Sequence, residues 1–210
     1  GTNYIAVMPT NLYGPNDNFH LENSHVLPAM IRKIHLAKCL NEGDWGAVRK
    51  DMDLRPVEGV SGKNTDEEIK TELAKFGITA EAVTLWGTGK PLREFLWSEE
   101  MADASVHVLL NVDFKDTYKD DERDIRNCHI NVGTGKEITI KEVAEKIMAT
   151  IGFKGELRWD ASKPDGTMKK LTDVTKLHNL GWHHKIEIDE GVRLLYDWYK
   201  KGICINHKEA

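Results

Sequence analysis

A short apolar run that ends in a dense turn sequence constrains the fold of this chain more than any other feature. The run is Tyr4–Met8, and Pro9 is expected to end it. Asn, Gly, Pro and Asp residues then crowd the segment 11–18, as they do in long loops. Open α/β sheets bind ligands in such loops, at the carboxyl ends of their strands. The pattern therefore predicts a buried parallel strand that enters a binding site.

A single histidine, His25, follows this loop and opens a predicted helix. Ser24 is expected to cap that helix, which should extend to about Leu40 and pack one apolar face on a core. An imidazole with an unperturbed pKa of about 6.5 suits proton transfer at neutral pH. A histidine at a helix start is also an ordinary capping or surface residue, so both interpretations stay open here.

Predicted strands and helices alternate along the rest of the chain. Strands are expected at 82–86, 93–97, 129–132 and 156–159, and the closing helix at 189–200. Capping boxes predict two helix starts, one at Thr65 with Glu68 and one at Thr139 with Glu142. Such alternation is typical of the α/β class.

Three further segments have a recognisable residue pattern. The helix after Ser98 is expected to turn an apolar stripe inward, comprising Met101, Ala104, Ser105, Val108 and Leu109. The charged segment 42–81 is interpreted as a surface insertion, and the acidic stretch 116–124 as a solvated loop.

Composition excludes several classes of protein. A net charge of -5 and a pI of about 6.0 argue against a nucleic-acid partner. No run approaches the roughly 18 apolar residues of a membrane helix, and the first residues lack a signal-peptide pattern, so we expect a cytoplasmic protein with no membrane partner. The three cysteines lack metal-ligand spacing and are expected to be reduced. His178, His183 and His184 cluster in sequence without a recurring metal spacing, so no metal site is predicted.

Two motifs invite a dinucleotide-binding interpretation that their context does not support. Neither Gly87-Thr-Gly89 nor Gly133-Thr-Gly135 continues as G-x-G-x-x-G into a helix. Tyr196 and Lys200 have the Y-x-x-x-K spacing of short-chain dehydrogenases, but they lie on the last predicted helix, after every strand. Tyr196 also belongs to the apolar stripe of that helix, so we interpret it as a core residue.

Three separated blocks together carry a family resemblance. They are VMPTNLYGPNDNF through NSHVLP at 7–28, LWGTGKPLREFL at 85–96 and DASKPDGTMKKL at 160–171. In this order they resemble the GDP-L-fucose synthases, which are extended short-chain dehydrogenases/reductases. The resemblance covers nearly the whole chain apart from the segment 42–81.

The resemblance implies an α/β fold that is the substrate-binding portion of such an enzyme, without its N-terminal Rossmann half. Residues 1–20 would be the last part of the Rossmann sheet and the active-site loop. Residues 21–210 would form the substrate-binding α/β portion, with the charged insertion at about 42–81 and with 93–112 and 128–135 returning to the Rossmann sheet. Because uncovered strand edges favour association, we expect a homo-oligomer. Because the missing half would carry the NADPH-binding and Tyr/Lys hydride-transfer groups, we expect no turnover from this chain alone.

The implied activity is epimerisation of GDP-4-keto-6-deoxymannose at C3 and C5 and reduction at C4 with NADPH. Epimerisation needs an acid and a base, and the resemblance places the acid at His25 and the base on a cysteine outside this chain. NADP(H), bound mainly by the missing half, would contact Pro9, Thr10, Asn11, Leu12 and His25. The GDP-sugar would be bound by Asn23, Lys33, Trp86, Arg93, Asp165 and Lys170.

Alternatives remain for single residues and for the whole chain. Trp86 is as well explained as a core residue, and Arg93 as the partner of Glu94 or Glu99 in a surface ion pair. The chain could belong to another nucleotide-sugar epimerase or dehydratase of the extended family. It could also be a non-catalytic module that binds a nucleotide sugar.

Overall fold

Strands and helices alternate along the chain in the computed structural model, which describes residues 2–118 and 126–205. The strands are β1 Val7–Pro9, β2 Asn11–Tyr13, β3 Ala82–Trp86, β4 Leu92–Arg93, β5 Phe95–Trp97, β6 Ile130–Val132, β7 Ile138–Thr139, β8 Glu156–Asp160 and β9 Lys169–Lys170. The helices are α1 Val26–Glu42, α2 Trp45–Leu54, α3 Asp66–Lys75, α4 Ser98–Asn111, α5 Ile140–Ile151, α6 Thr175–Asn179 and α7 Ile188–Ile205. The α/β class is confirmed. The predicted acidic loop falls partly on residues 119–125, outside the described residues, and its first part forms a 3-10 helix at Phe114–Thr117.

The chain divides into two compact units. Unit 1 comprises Gly1–Gly14, Leu92–Ile138 and Lys169–Gly191. Unit 2 comprises Pro15–Pro91, Thr139–Met168 and Val192–Ala210. Unit 1 thus joins the first strands to both segments that the sequence analysis expects to return to them, 93–112 and 128–135.

Parallel strand pairs form the framework of unit 1. β1 pairs with β6, and β2 pairs with β5. Pro9 is the last residue of β1, opposite Val132, so the prediction that Pro9 ends this strand is confirmed. The prediction that the strand is buried is wrong, because Met8 and Pro9 are exposed. The ladder tolerates a proline there because the amide of Thr10 donates the bond to the Val132 carbonyl, at 3.0 Å.

Helix α4 covers this framework with a narrow apolar stripe. Ala104 and Val108 are buried against a cluster that includes Leu96, Ile130 and Val132. Leu109 is 81 % exposed, so its predicted inward position is wrong. The reason is that α4 buries only positions four residues apart, and Leu109 lies beside that line. The exposed apolar residues of α4 do not test whether the chain associates, so the expected homo-oligomer stays a prediction.

Unit 2 is organised around α1, which is buried on more than the one face predicted. It contacts α2, α5 and β3, and β3 pairs with β8 in a parallel ladder. Arg32, Lys33 and His35 are therefore buried together with the apolar residues of α1. Both predicted capping boxes, at the starts of α3 and α5, are confirmed.

The segment 42–81 is more than a surface insertion. It supplies fully buried side chains to unit 2, among them Val48, Met52, Ile69 and Leu73. Burial of such residues is worth roughly 1.5 to 3 kcal/mol each, so the segment is part of the core and cannot be removed without loss of stability.

A buried ion pair joins this segment to α1. Asp51 accepts a hydrogen bond from Arg32 Nε at 2.8 Å, and both side chains are at most 1 % exposed. The Tyr199 hydroxyl donates to the second oxygen of Asp51, and the Arg32 guanidinium donates to the Phe19 carbonyl at 3.2 Å. The pair therefore connects α1, α2 and α7 with the loop that leads to His25.

We expect Asp51→Asn to lower the free energy of unfolding by about 3 to 5 kcal/mol, because it leaves the buried Arg32 without its counter-charge. Asp66→Asn is the matched control, since Asp66 pairs with Arg49 at 2.5 Å while both side chains are 35 % or more exposed. Exposed pairs contribute less than about 1 kcal/mol. Urea unfolding of both variants measures the difference, and equal losses would contradict the account.

Candidate functional site

The segment between β1 and β2 is fixed by side-chain bonds within unit 1. Asn11 donates from Nδ2 to the Glu94 carbonyl at 2.8 Å, and the Thr10 hydroxyl donates to the same oxygen at 3.4 Å. Thr10 is buried, Asn11 and Leu12 are half-buried and Pro9 is exposed. The segment that the sequence assigns to NADP(H) contact is therefore ordered, with one exposed side chain.

Glu94, which the sequence analysis considered only as an ion-pair partner, is the buried anchor of this region. Its side chain is 0 % exposed. One oxygen accepts the amides of Thr134 and Gly135 at 2.6 and 2.7 Å, and the other accepts the amide and hydroxyl of Thr172 at 2.9 and 2.5 Å. The turn Gly133-Thr-Gly135 thus does hold an anion, but the anion is a carboxylate of the chain itself.

The two cations predicted to bind diphosphate are neighbours in a short parallel ladder of unit 1. β4 pairs with β9, and Arg93 lies opposite Lys170. Lys170 is exposed, while Arg93 is half-buried and donates to the Leu92 carbonyl at 2.7 Å. Neighbouring strands are about 5 Å apart, a spacing suited to adjacent phosphate groups.

The other Gly-Thr-Gly turn, Gly87-Thr-Gly89, binds a second carboxylate, which belongs to unit 2. Thr88 donates its amide and its hydroxyl to the two oxygens of Asp165, at 2.6 and 2.7 Å. These hydrogen bonds lower the pKa of Asp165. Gly87 has a φ of 81°, and a Cβ there would lie 2.4 Å from an Asp165 oxygen, so glycine is required. Asp165 is therefore ionised and oriented by Thr88.

An apolar cavity of about 260 Å³ lies in unit 2. Its lining combines two indoles with aliphatic side chains and one buried ammonium, from Trp86, Trp159, Met30, Leu85 and Lys33. The Lys33 ammonium donates to the Phe76 carbonyl at 2.8 Å, and burial lowers the pKa of Lys33. An apolar cavity with few polar groups is typical of sites that bind small molecules.

Trp86 is 58 % exposed, so the alternative that it is a core residue is wrong. The Lys163 ammonium lies 5.3 Å from the centroid of its ring. This leaves an exposed aromatic surface beside a cation, an arrangement able to stack on a base and to attract a negative charge.

His25 occupies the N-cap position of α1, with an exposed side chain that makes no capping bond. Ser24 does not cap the helix as predicted, because its hydroxyl donates to the His20 carbonyl at 2.5 Å. The same turn holds the backbone of Asn23, whose amide donates to His20 Nδ1 at 3.0 Å and whose carbonyl accepts from Asn18 at 2.9 Å. The side chains of Asn23 and His25 project from an ordered turn.

The predicted site residues divide between the two units. Unit 1 contains Pro9, Thr10, Asn11, Leu12, Arg93 and Lys170, and unit 2 contains Asn23, His25, Lys33, Trp86 and Asp165. Sequence reasoning missed Glu94 and Thr172. The available signal was the repeated Gly-Thr-Gly turn, which we tested only as a dinucleotide motif.

Tyr196 of the Y-x-x-x-K pair is a core residue, as the sequence analysis interprets it, whereas Lys200 is exposed. Tyr196 is 7 % exposed, and its hydroxyl lies 3.0 Å from His35 Nδ1. His35 Nε2 in turn lies 3.5 Å from Cys39 Sγ. Burial raises the pKa of Tyr196 to about 12 and that of Cys39 to about 12, and it lowers the pKa of His35 to about 4. All three groups are held neutral, so none is suited to act as acid or base near neutral pH.

Two further features concern metals and membranes. Across residues 2–118 and 126–205, His, Cys, Asp and Glu side chains form no cluster of three that could hold a metal ion. His178 and His183 stack with their ring centroids 4.2 Å apart. None of the helices in those two ranges has the length and apolar character needed to cross a bilayer.

Comparison with known proteins gives consistent matches. Residues 1–133 match the family described as "NAD dependent epimerase/dehydratase family". GDP-L-fucose synthase 1 of Arabidopsis thaliana is 43% identical over 204 residues, which are 97% of this chain and 48% of the relative.

Two solved structures from Campylobacter jejuni are similar to the chain. A GDP-6-OMe-4-keto-L-xylo-heptose reductase is 45% identical with a TM-score of 0.85, and the match covers 96% of this chain and 55% of that one. MlghC, a GDP-mannoheptose C4 reductase with NADP bound, is 42% identical with a TM-score of 0.80, and the match covers 95% and 53%. The chain spans about half the length of the proteins that it matches.

The depressed pKa of His35 predicts a loss of stability on the acid side. The pKa falls from an ordinary 6.5 to about 4 in the folded chain. Between these values only the unfolded chain takes up the proton, so the contribution of His35 lowers stability as pH falls from 6.5 to about 4 and does not change further below that. The integrated loss is about 3 kcal/mol. Unfolding of His35→Gln should lack this decrease, whereas the exposed control His183→Gln should keep it. A parallel pH profile for His35→Gln and the unaltered chain would contradict the assignment.

Proposed function

Because the chain belongs to the NAD dependent epimerase/dehydratase family, we propose that it is the GDP-sugar-binding part of an NADPH-dependent GDP-4-keto-6-deoxymannose 3,5-epimerase/4-reductase, which makes GDP-L-fucose. The observation that carries the proposal is the pairing of Arg93 with Lys170 across β4 and β9. Two cations at one ladder position fit the two phosphates of a nucleoside diphosphate. The relative from Arabidopsis thaliana supports the choice of sugar.

The phosphate contacts follow from the chemistry of the two side chains. The guanidinium of Arg93 is planar and donates two parallel hydrogen bonds to one phosphate. Lys170 adds a compact charge on an exposed stem, which reaches the second phosphate as a point charge. Asn23 and Asp165 offer an amide and an ionised carboxylate to the hydroxyls of the sugar or ribose.

The unit 2 cavity is the proposed place of the guanine base. Trp86 and Trp159 offer flat surfaces for stacking, and Lys33 offers a buried positive group to the O6 and N7 acceptors of guanine. In the structure the Lys33 ammonium donates a hydrogen bond to the Phe76 carbonyl. Its low exposure strengthens any bond that it makes to a base, because little water competes there.

The cofactor is proposed to be NADP(H), with its nicotinamide end at Pro9–Leu12 and His25. Support comes from the family that residues 1–133 match and from a neighbour solved with NADP bound. The tyrosine of the Y-x-x-x-K pair in this chain is buried and neutral, so the hydride-transfer pair must be supplied from outside residues 1–210. We therefore expect this chain alone to be inactive.

Epimerisation requires removal of a proton next to the keto group and return of a proton on the opposite face. His25, exposed on an ordered turn, is proposed as the acid that returns it. Cys39 is excluded as the base because burial holds its thiol neutral, with a pKa raised to about 12. As the resemblance implies, we propose that the base lies on no residue of this chain.

A second candidate is a C4 reductase for a GDP-linked keto-heptose. The two solved neighbours support it, because they are named as GDP-heptose reductases and are 45% and 42% identical to the chain. Such an enzyme would reduce the sugar without exchanging ring protons. A non-catalytic nucleotide-sugar module remains the alternative of a different class, and it would bind GDP without any turnover.

Titration of the chain with GDP and with UDP tests the proposal. We expect selective binding of GDP, and a loss of about tenfold or more in affinity for Arg93→Ala and for Lys170→Ala, because each removes a charged phosphate contact. Lys201→Ala is the control for general charge, since Lys201 is exposed on α7. Preference for UDP would contradict the choice of nucleotide, and unchanged affinity in both variants would remove the phosphate role of the pair.

His25 separates the two enzyme candidates. In an active protein that carries this segment, we expect His25→Gln to slow 3,5-epimerisation by about 100-fold or more while leaving GDP-sugar binding within about threefold. Incorporation of solvent deuterium at C3 and C5 of the sugar measures the effect. Exchange at the unaltered rate would exclude His25 as the acid, and the absence of exchange in the unaltered protein would favour the C4 reductase.

A further inference from the structure

We propose that Glu94 is a positioning residue whose carboxylate holds Arg93 and Lys170 at the spacing required to bind a diphosphate. The inference depends on the proposed function, because it assigns to those two cations the binding of the two phosphates. It concerns only residues of unit 1.

The ladder that carries the two cations is too short to fix them by itself. β4 and β9 each contain two residues. Strands in proteins usually contain about five or six residues, so two strands of two residues share few ladder hydrogen bonds. Interactions beyond the ladder therefore contribute to the spacing of β4 and β9.

Glu94 supplies one such interaction directly beyond the ladder. It follows Arg93 in sequence, and Thr172 lies two residues beyond Lys170. The amide and hydroxyl of Thr172 both bind one oxygen of Glu94, at 2.9 and 2.5 Å. The residues that follow the two strands are thus joined by two charge-assisted hydrogen bonds between Glu94 and Thr172. Such bonds are about twice as strong as neutral ones.

The other oxygen of Glu94 binds the turn Gly133-Thr-Gly135. It accepts the amides of Thr134 and Gly135, and a Cβ at Gly133 would lie 2.3 Å from it. No side chain larger than hydrogen fits at Gly133 without displacement of the carboxylate. The position of Glu94 is therefore set by the turn that follows β6, a strand of the unit 1 framework.

The backbone carbonyl of Glu94 also fixes the segment proposed to contact the cofactor. Its carbonyl accepts the Asn11 amide and the Thr10 hydroxyl. Glu94 thus binds the segment assigned to the nicotinamide through its backbone carbonyl. Through its carboxylate it stabilises the proposed phosphate-binding ladder.

Isothermal titration of the full chain with GDP and with GMP tests the inference. We expect Glu94→Gln to weaken GDP binding by about tenfold and GMP binding by less than about threefold, because the carboxamide replaces one acceptor by a donor and releases the spacing that two phosphates need. The ratio of the two affinities therefore falls. A carboxylate with a merely structural role would not change this ratio.

Glu100→Gln is the matched control. Glu100 is 7 % exposed in the same unit, and one of its oxygens accepts the amides of Lys185 and Ile186. Its variant loses the same class of buried acceptor, away from the ladder. We expect its GDP to GMP affinity ratio to be unchanged. An equal change of the ratio in the Glu94 and Glu100 variants would overturn the inference.

Thr172 provides a milder test that does not disturb the buried carboxylate. Thr172→Val removes only the hydroxyl bond and should lower the ratio partly, whereas Thr172→Ser keeps the hydroxyl and should restore it. Arg93→Ala and Lys170→Ala distinguish the phosphate-binding role of the two cations from the positioning role of Glu94. If neither changes the ratio, the proposed phosphate role fails and the inference fails with it. If both change it and the Glu94 and Thr172 variants do not, the positioning role alone is overturned.

Discussion

The buried carboxylate of Glu94 is the interaction on which the arrangement of unit 1 depends. It brings together a turn after β6, the end of β9 and, through its carbonyl, the strand end at Thr10 and Asn11. A carboxylate with no exposed surface is costly unless each oxygen is bonded, and here amides and hydroxyls bind both. Because these donors come from distant parts of the sequence, one charge fixes segments that local propensity alone would leave loosely placed.

Unit 2 uses the same principle with different partners. Asp51 in the charged segment is bonded by Arg32 of α1 and by Tyr199 of α7, and Asp165 is bonded by Thr88 in the second Gly-Thr-Gly turn. In each case an anion of the chain, bound by donors from another element, orders a loop next to predicted site residues. Of those residues Trp86 and His25 are exposed, whereas Lys33 is buried and Asp165 is itself bonded by Thr88.

The sequence predicted the class, most strands and both capping boxes, because these depend on local periodicity and on residues three apart. From a resemblance it also predicted that Arg93 and Lys170 serve one ligand. The two residues pair across β4 and β9, and their shared ligand stays a prediction. Sequence reasoning failed where tertiary bonds decide. Ser24 bonds backward to His20, and Leu109 points outward. Part of the segment 42–81 is buried, where its apolar side chains enter the core and Asp51 pairs with Arg32 of α1. Glu94 was missed since nothing local shows that a glutamate beside an arginine will bind a turn 40 residues away.

A crystal structure of the chain with GDP would test the central claim most directly. The account predicts that the diphosphate lies within hydrogen-bond distance of both Arg93 and Lys170, with the carboxylate of Glu94 still bound to Thr134, Gly135 and Thr172. A diphosphate that contacts neither cation, or a Glu94 released from its turn when the ligand is bound, would contradict it.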